Sequence, residues 1–199
     1  PNADKGAVMI KMLKKFWPII GIIVLVISMS GCKAIDYKQG QKLAKEGKYK
    51  EAAVEFAALG NYKDSQERAI VLRLKQLILD FGQAGEGLGL LTVTNYDADV
   101  KQLEIVAEKM EEFTERFSDS DFSHDNDIAA IVDKINIGGQ GILLLIEMNR
   151  EYIDQIDSSA FTVLSDETRA YLENSKDAFK SICKQMQAEE FPSKYSGWF

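Results

Sequence analysis

Residues 127–157 read DIAAIVDKINIGGQGILLLIEMNREYIDQID. Apolar residues recur in this stretch at intervals of three and four positions, which is the spacing of one face of an α-helix. Those positions are Ile128, Ile131, Val132, Ile135, Ile142, Leu143, Ile146 and Ile153. Because residues 143–146, LLLI, are apolar on every side of such a helix, we expect this helix to lie deepest in a helical bundle.

The same spacing predicts three more helices, over residues 64–91, 98–117 and 165–190. Pro192 would end the last of them, because proline cannot continue a helix. One run resembles a strand, LLTVT at residues 90–94, and it has no obvious strand to pair with. We therefore predict an all-α fold in which four long helices, joined by short connections, pack up-down-up-down.

Two groups of glycines interrupt the helical pattern. Gly85 and Gly89 lie four positions apart on one helical face, and Gly138 with Gly139 or Gly141 could match them on a second helix. A helical glycine costs about 1 kcal/mol relative to alanine, so a compensating contact is expected. We predict that the two helices cross here with their backbones nearly touching. A pocket or a hinge at the same place is the alternative.

Charge limits the classes of partner. The chain has 24 Lys+Arg and 31 Asp+Glu, of which four and one precede Cys32, leaving 20 basic and 30 acidic residues and a net charge of −10 from Cys32 onward. Binding to nucleic acid or to an anionic lipid surface requires clustered basic residues, so neither is expected. The second cysteine, Cys183, has no obvious disulfide partner if Cys32 is modified, and the fold then depends on packing alone.

The first 31 residues have the pattern of an export signal. Lys11, Lys14 and Lys15 form a basic start before an apolar run of 12 residues, Phe16–Ile27, which is short for a membrane-spanning helix. The start of translation is open between Met9 and Met12, and we expect residues 1–8 to be upstream sequence.

The four residues after this signal, Met29, Ser30, Gly31 and Cys32, resemble the lipobox of bacterial lipoproteins. Met29 stands where that motif usually has leucine. The resemblance implies cleavage before Cys32, a diacylglycerol on its thiol with palmitate among the acyl groups of the anchor, and a location on the extracytoplasmic face of the cell membrane. The alternative is an uncleaved N-terminal anchor with an incidental cysteine.

The segment after Cys32 contains GKYKEA at residues 47–52 and LGNYKDS at residues 59–65. It resembles a single tetratricopeptide repeat of a variant found in bacterial surface proteins and lipoproteins. The positions that match the small and large residues of such a repeat are Gly40, Leu43, Gly47, Tyr49, Ala52 and Phe56. The resemblance implies a helical hairpin that takes part in protein binding, while a plain hairpin without a ligand groove is the alternative.

Candidates for chemistry are few. The acidic loop at residues 118–127 lacks the glycine and the glutamate of a calcium-binding EF-hand, so we expect it to cap the next helix. His124 is the only histidine, and Cys183 falls on an apolar helix face where a buried, inert thiol is expected. The aromatic tail, residues 191–199, should dock on the bundle.

These features predict four segments: the upstream residues and signal (1–31), the lipidated cysteine and repeat-like hairpin (32–63), the bundle (64–190) and the tail (191–199). The expected function is a membrane-anchored, non-enzymatic lipoprotein, without metal or cofactor, that binds another surface or envelope protein. A bundle that binds a small molecule or a cell-wall fragment is the alternative from another class, and a hydrolase ranks third.

Overall fold

The computed structural model describes residues 32–156 and 165–199, and within these ranges every regular element is a helix. The helices are α1 (residues 32–45), α2 (Tyr49–Ala58), α3 (Ser65–Glu86), α4 (Tyr96–Ser118), α5 (Asn126–Asp154), α6 (Asp166–Gln187) and a C-terminal 3-10 helix (Ser193–Trp198). The predicted all-α class is therefore confirmed. The chain forms two compact units that divide between Ala69 and Ile70, inside α3, whereas the sequence suggests a division at residue 64.

In the first unit, α1 and α2 form a hairpin around Phe56. The Phe56 ring is fully buried, and a Cβ added to Gly40 would come within 3.0 Å of it. Ala52 on α2 is also fully buried. Gly47 turns the chain between the helices with a φ of +75°, and Gly60 follows α2 with a φ of +58°, both in the left-handed region that glycine adopts without strain. Gly47 therefore forms the turn of the hairpin, and Gly60 lies where α2 has ended.

In the second unit, residues 70–199, neighbouring helices run antiparallel. Arg150, near the end of α5, forms an ion pair of 2.8 Å with Asp97 at the start of α4. Lys134, near the start of α5, pairs at 2.8 Å with Glu189 just beyond α6. Gly82 of α3 faces Gln187 of α6, and Gly85, one turn further along α3, faces Cys183, one turn earlier in α6, so these two helices are also antiparallel. The four long helices thus have the predicted up-down-up-down order.

Helix α3 ends at Glu86, so the prediction that it continues to Leu91 is wrong. The N–H of Gly87 still donates to the carbonyl of Gln83 at 2.9 Å, and the helix then stops. Beyond it the chain lacks regular structure, although Leu88 and Leu91 remain buried. Both leucines therefore reach the core from an irregular segment. The glycines of that segment do not carry the cost that glycine has inside a helix.

The C-terminal tail docks on the bundle, as the sequence predicts. Tyr195 is buried and packs edge-on against Trp198, with ring centroids 4.8 Å apart. Its hydroxyl donates to Asp125 Oδ2 at 3.2 Å, and Lys194 Nζ reaches the same oxygen at 2.8 Å. Asp125 is also the N-cap of α5, because its Oδ1 accepts from the backbone N–H of Asp127 at 3.0 Å. The acidic loop therefore caps the next helix, as predicted.

Candidate partner-binding surface

The longest helix, α5, has an exposed apolar face. Ile137 is 68% exposed, Leu144 58% and Met148 50%. Ala130 is exposed and Gly141 half-buried on the same side. At 3.6 residues per turn, these five positions lie within an arc of about 60° and extend about 27 Å along the helix. We call them the α5 stripe: Ala130, Ile137, Gly141, Leu144 and Met148.

The α5 stripe shows that the prediction of a deepest-lying helix is wrong. Helices α4 and α6 flank α5, and Phe81 of α3 lies behind Gly139, whereas the side chains on the remaining side, Ile137, Leu144 and Met148, are at least half exposed. By length and composition alone α5 could cross a membrane, yet only 33% of its most apolar window is buried. Its apolar content therefore exceeds what its contacts in the described bundle bury.

Four carboxylates run along one side of the α5 stripe. Asp133, Glu147, Glu151 and Asp154 are all exposed, and none of them forms an ion pair with another described residue. Their positions place them within about 100° of Ile137 on the side facing away from α6. The nearest basic side chain of α5 beyond them, Arg150, is held by Asp97 and Glu104 of α4. We call the four carboxylates the acidic flank.

The glycines do make close contacts, but their neighbours differ from those predicted. A Cβ on Gly85 would lie 2.8 Å from Cys183 Cβ, and one on Gly138 would lie 2.6 Å from Met186 Sδ. Both contacts are with α6, so the predicted direct crossing of the two glycine groups is wrong. Gly89 lies outside α3, with nothing within 4 Å of an added Cβ.

At two other α5 glycines, the neighbouring atoms leave room for a side-chain Cβ. A Cβ on Gly139 would meet Phe81 at 3.6 Å and Met110 at 3.7 Å, which is ordinary contact distance. A Cβ on Gly141 would meet nothing closer than Ile182 Cδ1, at 3.9 Å. Of these two, only Gly141 lies on the α5 stripe, where its missing side chain leaves a notch.

A buried polar network joins α4, α5 and α6. Asn149 is fully buried; its Nδ2 donates to the Tyr96 hydroxyl at 2.9 Å, and its Oδ1 accepts from Ser175 Oγ at 3.0 Å. Burial raises the pKa of Tyr96 to about 12. This network was not predicted from the sequence, although Asn149 lies seven positions after Ile142 and shares its core-facing side. Because the three side chains satisfy one another, the network fixes helix register rather than offering a site.

Next to this network lies a charged cluster. Arg150 donates to both carboxylate oxygens of Glu104, at 2.8 Å and 3.2 Å, and to Asp97 at 2.8 Å. These hydrogen bonds from Arg150 lower the pKa of Glu104 to about 2. The bidentate geometry is that of a strong structural ion pair.

A second polar cluster, which was also not predicted from the sequence, lies in the first unit. The Tyr37 hydroxyl donates to Asp64, and Arg68 Nε lies 3.0 Å from both of them. Burial raises the pKa of Tyr37, and although burial of Asp64 acts in the opposite direction, the hydrogen bonds from Tyr37 and Arg68 lower the pKa of Asp64. Lys63, with a φ of +52°, places its ammonium 4.6 Å from the centre of the Tyr37 ring. This cluster ties α1 to the first turn of α3.

The predicted lipidation site is only partly within the described residues. Cys32 is exposed at the beginning of the described part of α1, while Met29, Ser30 and Gly31 lie outside it. Among the other predicted repeat positions, Leu43 and Tyr49 are half-buried. The hairpin is present, and its relation to tetratricopeptide repeats stays a prediction.

The described residues contain no group of three or more His, Cys, Asp or Glu side chains placed to hold a metal ion. Cys183 is buried, and burial raises the pKa of its thiol to about 11, which disfavours the reactive thiolate. In the acidic loop, Asp125 and Asp127 both pair with Lys194, at 2.8 Å and 3.1 Å. In the structure, Asp125 and Asp127 hold the C-terminal tail through Lys194, and Cys183 packs against Gly85 of α3.

Comparison with known proteins adds no relative: no family model, curated protein or solved structure matches this chain. Functional inference therefore depends on the surface and on the sequence patterns.

Proposed function

We propose that this protein is a non-enzymatic lipoprotein of the extracytoplasmic membrane face, anchored by diacylglycerol on Cys32, whose bundle binds another envelope protein through the α5 stripe. The observation that carries the proposal is the exposure of Ile137, Leu144 and Met148 on one side of α5. A contiguous exposed apolar surface on a folded domain typically marks a contact with another macromolecule.

The anchor and the hairpin support the same function. Cys32 is exposed, as a thiol that receives a lipid must be. Because α1 is already helical at residue 32, little flexible chain would separate the acyl groups from the hairpin. The first unit would then lie close to the membrane face.

The contacts at the glycines favour protein binding over small-molecule binding. Gly85 faces Cys183, and Gly139 faces Phe81 and Met110, so their surroundings are apolar and packed. A ligand pocket would bring several polar groups together at this place.

Two measurements test the proposal on the full chain in its native membrane. The wild type should incorporate labelled palmitate, and Cys32→Ser should abolish the label; normal labelling of that variant would refute the anchor. For the binding surface, a photo-crosslinking amino acid at Ile137 should yield a protein adduct that the same group at Glu111, on the exposed side of α4, does not. Equal adducts from both positions, or none from Ile137, would refute binding through α5.

A further inference from the structure

We infer that the α5 stripe receives a cationic amphipathic helix of the partner protein, with large apolar residues along one side and lysines or arginines beside them. This inference deepens the proposed function and rests on it. Its basis is the combination of the α5 stripe, the acidic flank and the glycine at the centre of the stripe.

The shape of the stripe favours a helix. It is narrow, and its positions 137, 141, 144 and 148 are separated by four, three and four residues, as in the seam of a coiled coil. In such a seam, each side chain of one helix enters a hole between four residues of the other. Two consecutive holes on α5 share Gly141 as one corner, so both are deeper than holes lined by larger residues.

Gly141 lacks another explanation in the described bundle. A helical glycine costs about 1 kcal/mol relative to alanine. At Gly85 an added Cβ would come within 2.8 Å of Cys183 Cβ, and at Gly138 the side chain of Met186 would have to shift to make room. At Gly141 the nearest atom to an added Cβ is 3.9 Å away, so an alanine would fit. A large apolar side chain of a bound helix, seated in this notch, supplies the missing reason.

The acidic flank specifies the charge of the occupant. Four exposed carboxylates beside an apolar seam repel an acidic partner and attract lysines or arginines. Such electrostatic interactions act mainly on the rate of association and on specificity. The same flank disfavours an anionic lipid surface.

A second copy of this chain is a poorer occupant for the same reason. In an antiparallel pair, like flanks meet, so Asp133 would face Asp154 of the second copy and Gln140 would face Glu147. In a parallel pair, the acidic flank would lie against Leu145 and Tyr152, which offer no positive charge.

The test uses the full chain reconstituted in phosphatidylcholine nanodiscs, with empty nanodiscs as the baseline. The probe is a synthetic helix of about 18 residues, matching the 27 Å stripe, with leucines along one side and lysines on both flanks. A control peptide has glutamates in place of the lysines. Fluorescence anisotropy should show that the lysine probe binds about tenfold more tightly than the glutamate peptide, and that added salt reduces the difference.

Variants separate the stripe from general electrostatics. Glu147→Lys/Glu151→Lys should weaken binding of the lysine probe about tenfold. The matched control is Glu111→Lys/Glu115→Lys on α4, which has the same charge change and spacing on exposed residues and should bind as the wild type does. Gly141→Leu, which fills the notch, should also weaken binding, with the melting temperature showing that the bundle is intact.

Several outcomes would overturn the inference. Equal binding of the two peptides, or equal losses in the α5 and α4 double variants, would show that the acidic flank does not select the partner. Self-association that Leu144→Ser abolishes would assign the stripe to a second copy, and stripe-dependent binding to anionic vesicles would assign it to lipid. If the photo-crosslinker at Ile137 still captures a protein other than a second copy of this chain, the proposed function stands and only the chemistry of the partner is wrong.

Discussion

Substituting Gly85 by alanine should destabilise the bundle, although alanine is the better helix former. An added Cβ would lie 2.8 Å from Cys183 Cβ and 2.9 Å from its Sγ, so α3 and α6 must move apart. Overpacking of this kind costs about 1–3 kcal/mol, and the gain in helix propensity returns about 1 kcal/mol. The expected net loss is about 1 kcal/mol, which lowers the melting temperature of a chain of this size by about 2–4 °C.

The matched control is Gly141→Ala on α5, where an added Cβ meets nothing closer than 3.9 Å. This variant should gain nearly the full propensity difference of about 1 kcal/mol. Thermal unfolding of the full chain, followed by circular dichroism, should therefore move the two variants in opposite directions. Equal shifts would refute the close contact between α3 and α6.

A double-mutant cycle identifies the contact itself. Cys183→Gly removes both atoms that an alanine at position 85 would meet, at the expense of a cavity and a second helical glycine. In Gly85→Ala/Cys183→Gly the new methyl group fills that cavity, so the two changes should couple favourably by about 1 kcal/mol or more, as neighbouring residues do. Additive effects would mean that the clash lies elsewhere.

Three further predictions concern the second unit. Asn149→Leu should cost about 1–3 kcal/mol, because it removes the donor to the buried Tyr96 hydroxyl; urea unfolding measures the loss, and a neutral result would contradict the network. Glu104 has a pKa of about 2 because Arg150 donates hydrogen bonds to it, so its stabilising contribution is present above about pH 4.5 and disappears as the pH falls toward 2. In Glu104→Gln the free energy of unfolding should therefore depend less steeply on pH between 4.5 and 2, and an unchanged dependence would exclude this ion pair as its source. Tyr195→Ala should cost about 3 kcal/mol as a buried aromatic residue is lost, and unaltered calorimetry would show that the tail does not contribute to stability.

Local features of the fold could be predicted because their causes are local. Gly47 and Gly60 adopt positive φ at the positions where the helical pattern breaks, and Asp125 caps α5 with its own side chain. Each needs only the residue type and its immediate neighbours. The all-α class follows similarly from the spacing of apolar residues over long segments.

Features that depend on which helices are neighbours could not be predicted in the same way. The glycine pattern correctly indicated close helix contacts, but the spacing of Gly85 and Gly138 does not say that α6 is the helix on the other side of both. The end of α3 shows the same limit. Leu88 keeps the apolar phase of the helix, yet it reaches the core from an irregular segment, so phase alone did not reveal the break.

The misprediction for α5 is itself informative about function. Apolar residues on every side of a helix normally mean burial on every side, and here the bundle of described residues covers only part of the circumference. If the α5 stripe were merely tolerated, polar residues at Ile137 and Leu144 would lower the aggregation risk and cost the described core little, since both side chains are more than half exposed. If Gly141 were merely tolerated, alanine would improve the helix. The chain departs from the more stable and more soluble choice at all three positions on one narrow face, and the proposed partner helix would account for the three departures together.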